Sequence, residues 1–300
     1  SPLVAAPPER SLAVAPGIGI VLDRSKLAGL APLTRTTLHG FPVPGLGGVT
    51  LDLHRISLPF TAGAVLRVDG VDVPGGPRAA LGDLSIWSGS ALEVPGSRVF
   101  LALSSDGSRG FLELPFDQNH IVHFATGASG SGRAIDDRDL AASGVERPVP
   151  NCFEPRIPPG QHAMPDLGSM SPPGTGDLTT ADCSVAIETD FQLYQRFNSI
   201  GATTSYVTQL MAAVSDQYFT DVQTTISIAY LGIYTTAADP WTSQDSGGDA
   251  SMLLNEFIGA WAPNNWPVTA NLAHFISGAN LGGGIAYINV LCNSSFGFGV

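Results

Sequence analysis

The alternation of strand and helix periodicities over residues 183–300 constrains this chain more than any other feature of it. The segment opens with Cys183-Ser-Val-Ala-Ile-Glu-Thr-Asp190, apolar until it ends in acid, which reads as a buried strand leaving a sheet at Asp190. Beyond it Phe197, Ile200, Val207, Leu210, Met211, Val214 and Tyr218 recur mostly at three- and four-residue steps, the spacing of one apolar helix face. Residues 224–234 are rich in β-branched and aromatic side chains and predict a second strand. Asp249 or Ser251 can cap a second helix whose inner face is Leu253, Leu254, Phe257, Ile258 and Trp261. Three short strand candidates follow at 272–277, 285–291 and 296–300, separated by glycine-rich turns. Strand, helix, strand, helix, strand is the order of a right-handed, mostly parallel α/β sheet.

The chain ahead of this segment has a different texture, and 300 residues suggest two domains. Residues 1–48, rich in Pro and Gly, read as an irregular arm with room for one or two strands. From 49 to 126 the pattern is β. Residues 51–58, 65–70 and 82–87 alternate, while 99–103 and 109–114 flank Ser104-Ser-Asp-Gly-Ser108, a hairpin-turn signal. With 120–124 this makes six or so short strands, expected to form an antiparallel sandwich or curved barrel. Residues 127–182, with Gly-Ser repeats and then many prolines, predict a long extended connector.

The composition excludes several partners. A net charge of −12 argues against nucleic acid and anionic membranes. Residues 183–300 carry eight carboxylates against Arg196 alone. No span approaches the roughly 20 apolar residues of a membrane helix. Residues 1–6 lack the basic-then-apolar pattern of a secretory signal, which places any such signal ahead of Ser1. Scarce lysine with abundant Ser, Thr, Asn and Gly points to a secreted, extracellular protein, although the bias of a genome produces the same composition.

Several ordered segments carry a resemblance. They are Val185-Ala-Ile-Glu-Thr-Asp190, Tyr206-Val-Thr-Gln-Leu210 with Val222 and Thr224, Asp239-Pro-Trp241, Leu253-Leu254 with Phe257 and Trp261, His274-Phe-Ile-Ser-Gly278, and Gly284-Ile-Ala-Tyr-Ile288 with Cys292. Together they resemble the upper half of the catalytic domain of reprolysin-like (adamalysin or ADAM-type) zinc metalloproteases, metzincins of the bacterial secreted style. The resemblance implies an α+β two-domain protein. An antiparallel β-rich propeptide-like domain (1–126) and a linker with a processing region (127–182) precede the N-terminal part of the catalytic domain (183–300). That part would be a mostly parallel sheet with an antiparallel edge strand and two helices. Residues 97–103 and 110–114 resemble the family's propeptide, expected to pack on the catalytic domain and to be cut off between Pro158 and Cys183.

In that family the zinc and its water are held by H-E-x-x-H-x-x-G-x-x-H, and the glutamate activates the water. This sequence reaches Val300 without the motif, and none of His39, His54, His120, His123, His162 and His274 has such a context. The chain alone is therefore expected not to cut peptide bonds, with zinc belonging to a complete enzyme. His120 and His123, three apart on a strand, face opposite ways and read as structural.

The resemblance also implies that Gly284, Ile285, Ala286 and Tyr287 line an edge strand that takes an extended peptide substrate as an added strand. The glycines before it let a peptide approach closely. Cys152 stands where a zinc-latching propeptide thiolate could sit. The competing reading, a Cys152–Cys183 disulfide, is favoured in an oxidising compartment. Family likeness would leave Cys292 as a free thiol here. Calcium is a candidate at Glu188, Asp190, Asp239, Asp245 and Asp249, against the plainer reading of a solvated acidic loop. Asn271 offers an amide where the family often has an acid. Asn293-Ser-Ser295 matches a glycosylation acceptor. No G-x-S-x-G elbow suggests a serine hydrolase. The competing functional readings are a non-catalytic secreted binding protein on a protease-like scaffold, and a β module that binds carbohydrate or serves adhesion.

Overall fold

The computed structural model describes residues 1–5, 16–115, 120–142, 180–245, 247, 249–288 and 290–300. In chain order its first elements are β1 (Leu3–Ala5), β2 (Ile18–Leu22), α1 (Arg24–Leu30), β3 (Arg35–Val43), β4 (Gly47–Ile56), β5 (Phe60–Val68), β6 (Val71–Asp72), α2 (Gly76–Ala80) and β7 (Ser85–Ala91). Then come β8 (Arg98–Leu103), β9 (Arg109–Leu114), β10 (His120–Thr126), β11 (Ser131–Asp136) and α3 (Asp137–Ala142). After the connector follow β12 (Ala181–Thr189), α4 (Phe191–Gln195), α5 (Ile200–Val222), β13 (Thr224–Ile233), α6 (Ala250–Trp261), β14 (Leu272–Ile276) and β15 (Phe298–Gly299).

Nine strands form one antiparallel sheet in the order β1-β2-β11-β10-β9-β8-β7-β4-β3. Its two border strands, β1 and β3, touch, so the sheet curls on itself as a curved barrel would. Alternation supplies the core. Along β10, Val122 and Phe124 turn inward and His123 turns out. With Trp87, Phe41, Leu51, Leu101 and Leu112 they form one buried cluster. His120 lies on the inner side and faces Asp136 at 3.3 Å, so the two histidines do point to opposite faces.

The sheet corrects three expectations. Residues 1–48 are no irregular arm, since β1, β2, α1 and β3 come from them; Leu3, Ile20 and Phe41 are each at most 1% exposed and pay for their ordering by burial. The connector begins later than residue 127, because β11 and α3 occupy 131–142 and Ala134 is fully buried. The Gly-Ser composition of that stretch hid a strand that β10 and β2 flank. The alternating run at 65–70 belongs to β5 in the other sheet.

That second sheet has six strands in the order β15-β14-β12-β13-β5-β6. Every pairing from β15 to β5 is parallel, and β6 closes antiparallel on β5. A parallel sheet needs apolar cover, and α6 supplies it from Leu253, Leu254, Phe257 and Trp261 packed with Phe275, Phe298 and Trp241. Asp249, and not Ser251, caps α6, accepting from the Met252 N–H at 2.9 Å.

Helix α5 starts at Ser199, whose hydroxyl accepts from the Ala202 N–H, and stops where Gln223 turns left-handed at φ 55°. Its buried side is not the expected apolar stripe. Leu210 and Tyr218 are 38% and 50% exposed, whereas Thr203, Thr204, Ser205, Thr208 and Gln209 are at most 2% exposed. Val207 and Met211 of the expected stripe are buried beside them; Thr208 donates to the Thr204 carbonyl, Thr203 to that of Ser199 and Gln209 to that of Gly107, while the Thr204 hydroxyl has no hydrogen-bond partner among the described residues.

The chain divides into two compact units that do not follow sequence order. One holds Ser1–Leu58, Ala79–Arg147 and Thr204–Asp216; the other holds Pro59–Arg78, Pro148–Thr203 and Gln217–Val300. No described helix is long and apolar enough to cross a membrane.

Phe257 is fully buried and meets four other rings, Trp241, Trp261, Phe275 and Phe298, at centroid distances of 5.8, 4.6, 5.4 and 5.1 Å. Phe257→Ala should therefore destabilise the protein by roughly 3–5 kcal/mol, read as a lower denaturant midpoint by tryptophan fluorescence.

Candidate functional site

The residues proposed to meet an extended ligand lie on the border of the six-stranded sheet. Ile285 and Val300 exchange both backbone hydrogen bonds, at 3.0 and 2.9 Å, and the Tyr287 N–H donates to the Phe298 carbonyl at 3.5 Å. Ala286 stands opposite Gly299 in an antiparallel bridge. Residues 285 and 287 thus spend their backbone groups on the C-terminal strand, and those of Gly284 and Ala286 turn the other way, outward. Ile285 is buried and Ala286 exposed. The extended segment is shorter than the 285–291 candidate: Ile288 carries a bend, and Val290 and Cys292 lie in or beside turns.

Gly284 has a specific reason to be glycine. A Cβ there would sit 2.7 Å from the Val300 carbonyl oxygen, closer than van der Waals contact allows. A groove of about 370 Å³ runs beside this border, lined by residues 249–251 at the start of α6 and by 281–285. Behind it the rings of Phe257, Phe298 and Trp266 fix β15, with Trp266 and Phe298 centroids 5.0 Å apart. The border is therefore mounted on a rigid aromatic layer.

At the other end of β12 lie the carboxylates. Asp190 is fully buried and accepts from the N–H groups of Leu193 and Gly278, at 2.8 and 2.9 Å, and from the Ser277 hydroxyl. It ties the end of β12 to the start of α4 and to the loop after β14. Asp239 accepts from the N–H groups of Phe191 (2.7 Å) and Trp241 (3.1 Å). Burial pushes both carboxyls up. Glu188 is 1% exposed, and one of its oxygens has no hydrogen-bond partner. Burial raises its pKa from an ordinary 4.5 to about 8, against the hydrogen bond of the Thr189 backbone, the charge of Arg67 and the hydrogen bond of Tyr230. Gly232 makes the space: a Cβ there would lie 1.9 Å from a Glu188 oxygen. Arg67 of β5 sits over the Tyr230 ring, 5.6 Å from its centroid, and pairs with Asp72 at 2.6 Å.

These facts correct the solvated acidic loop for Glu188 and Asp190, which are the most buried acids of the segment. Asp249 remains exposed as the cap of α6. Among the described residues no group of three His, Cys, Asp or Glu side chains could hold a metal ion. Asn271 acts as a strut: its carbonyl oxygen accepts from the Ser184 N–H and hydroxyl, and its amide donates to the Cys292 sulfur at 3.2 Å. Cys183 is buried and Cys292 exposed, and among the described residues neither has a disulfide partner. Burial, then the nearby Cys292, pushes the Cys183 thiol up. Cys152, read as a zinc latch or as the Cys183 partner, lies outside the described residues.

Sequence reading missed Arg67 and Gly232. The alternation around Arg67 signals a strand but not which sheet takes it, and a lone glycine in a strand says only that something approaches closely.

Residues 179–300 match the reprolysin-type model described as metallo-peptidase family M12. The curated proteins contain no match to this chain.

Because the Glu188 pKa is raised in the fold, its neutral form is favoured there. Stability is complete below pH 4.5 and lost as pH rises to about 8. Glu188→Gln removes that loss. The variant should equal the wild type in denaturant unfolding near pH 4 and gain on it by up to roughly 1.4 kcal/mol per pH unit above that.

Proposed function

We propose that this chain, whose residues 179–300 match the metallo-peptidase family M12 model, is part of the precursor of a secreted zinc metalloendopeptidase of the reprolysin-like, metzincin type. In this reading residues 1–142 are the propeptide and the connector is the processing region. Residues 181–300 are the upper part of the catalytic domain. The observation that carries it is the antiparallel border at 284–287 beside strands that pair in parallel from β15 to β5, with Gly284 and Ala286 presenting their backbone groups outward beside a groove.

An extended polypeptide laid along that border would exchange backbone hydrogen bonds with Gly284 and Ala286, as an added strand does. The bare glycine edge admits its main chain closely, and the groove beside 281–285 receives a side chain. Holding the substrate extended places its carbonyls in a fixed register, which is the share of catalysis a binding border can supply. Zinc supplies the nucleophile in this family, but the described residues do not fit it, so no chemical step is assigned to them. The 300-residue chain is expected to bind peptides and not to hydrolyse them.

Ala286→Pro tests this, because it removes an outward N–H while Ala286 itself is exposed and packs little. Binding of fluorescent extended peptides, measured by anisotropy, should weaken at least tenfold with the thermal midpoint nearly unchanged. Equal binding by wild type and variant would sink the reading. Hydrolysis by the purified chain would overturn its division between border and metal.

A further inference from the structure

The contact-defined units contain one exchange in each direction across the connector. Residues 59–78 come from the N-terminal side and sit in the unit built from the C-terminal side, while 204–216 make the opposite move. The first exchange is a strand insertion. β5 runs parallel to β13 with Phe60 opposite Ile228, and Val65 to Val68 opposite Tyr230 to Ile233. The ladder is extended at both ends, the Ile228 N–H donating to the Pro59 carbonyl at 2.7 Å and the Asp69 N–H to that of Ile233 at 3.0 Å. Asp69 also accepts from the Thr235 N–H at 2.8 Å and from its hydroxyl. Leu66 is fully buried and Phe60 nearly so, and Arg67 covers the Tyr230 ring. Backbone pairing, apolar anchors and a cation over a ring are the components of strand recognition by an open sheet edge.

The second exchange is a helix face. Ala212 of α5 packs with Leu84, Ile86, Phe100 and Ala102. Arg98 pairs with Asp216 at 2.9 Å, Arg109 lies over the Tyr206 ring at 4.8 Å, and Gln209 donates to the Gly107 carbonyl at 2.9 Å.

We propose that the border of β13 away from β12 is a strand-acceptor site whose occupant is residues 59–78, and that cutting the connector between 143 and 180 does not empty it. The N-terminal segment then remains as a tightly held second piece, and its departure requires a separate event that opens the β5–β13 ladder. The inference deepens the precursor reading and rests on it only for its biological meaning, since an engineered cut tests it with no peptidase activity involved.

The experiment places a cleavage sequence for a site-specific protease between Gly160 and Gln161 and follows the cut protein by size-exclusion chromatography at low micromolar concentration. The two pieces should elute together, and amides 228–233 should keep the slow hydrogen exchange of the uncut protein. In an Arg67→Pro version, which removes a backbone N–H on the β13 side of β5 together with the cation over Tyr230, the pieces should separate after cutting. Separation of the wild-type pieces, or loss of protection at 228–233 on cutting, overturns the proposal. Persistence of the complex in cut Arg67→Pro assigns the hold to the helix face and overturns the role of the strand. If Arg67→Pro does not fold uncut, the exchange measurement on the cut wild type alone decides.

Discussion

Strand β13 is paired on both borders, and the rest of the second sheet follows from that. A strand in the middle of a parallel sheet must satisfy its backbone groups on both sides and bury both faces, because nothing else at that depth can solvate them. On one side β12 comes from the same half of the chain, and on the other β5 comes from before the connector. With the ladder complete, Tyr230, Leu231 and Ile233 can all be at most 2% exposed. Tyr230 then serves two neighbours at once, its ring carrying Arg67 and its hydroxyl bonding Glu188.

Two carboxylates at the end of β12 show how differently burial can be handled. Asp190 is surrounded by donors and joins three segments through one side chain. Glu188, two residues earlier, keeps one oxygen unmatched in a space that exists because position 232 has no side chain. An orphaned acceptor of this sort costs stability. The border at 284–287 rests on the aromatic layer of Phe257, Phe298 and Trp266, and Trp261 joins that layer to Tyr230, with ring centroids 4.6 Å from Phe257 and 5.7 Å from Tyr230.

Much of the C-terminal fold was legible because parallel strands buried on both faces read as unbroken apolar runs: 183–189, 224–234 and 272–276 all appear as expected. The Asp249 cap and the inner face of α6 were legible for the same local reasons. Helix α5 was found with Val207 and Met211 buried as expected, but Leu210 and Tyr218 were misplaced, since periodicity ranks side chains by hydrophobicity and cannot foresee buried hydroxyls that bond to their own helix. The N-terminal sheet was recognised as β and one or two strands were allowed within 1–48, yet β11 was overlooked in Gly- and Ser-rich sequence that only long-range pairing orders. Of the candidate site, the extended border was visible through Gly284-Ile-Ala-Tyr287. The burial of Glu188 was not, because it depends on Gly232 and on a strand assigned to the other sheet.

The placement of β5 also bears on how the protein is made. Asp69 and Thr235, joined by a hydrogen bond, stand 166 residues apart. A ribosome therefore releases β5 long before β13 exists to receive it, and an apolar strand with open edges must wait in an unfinished chain. Such distant pairing slows folding and leaves the early segment vulnerable to pairing with the wrong neighbour. The short β6 turn, which folds antiparallel onto β5 only a few residues later, gives the waiting strand a temporary companion during translation.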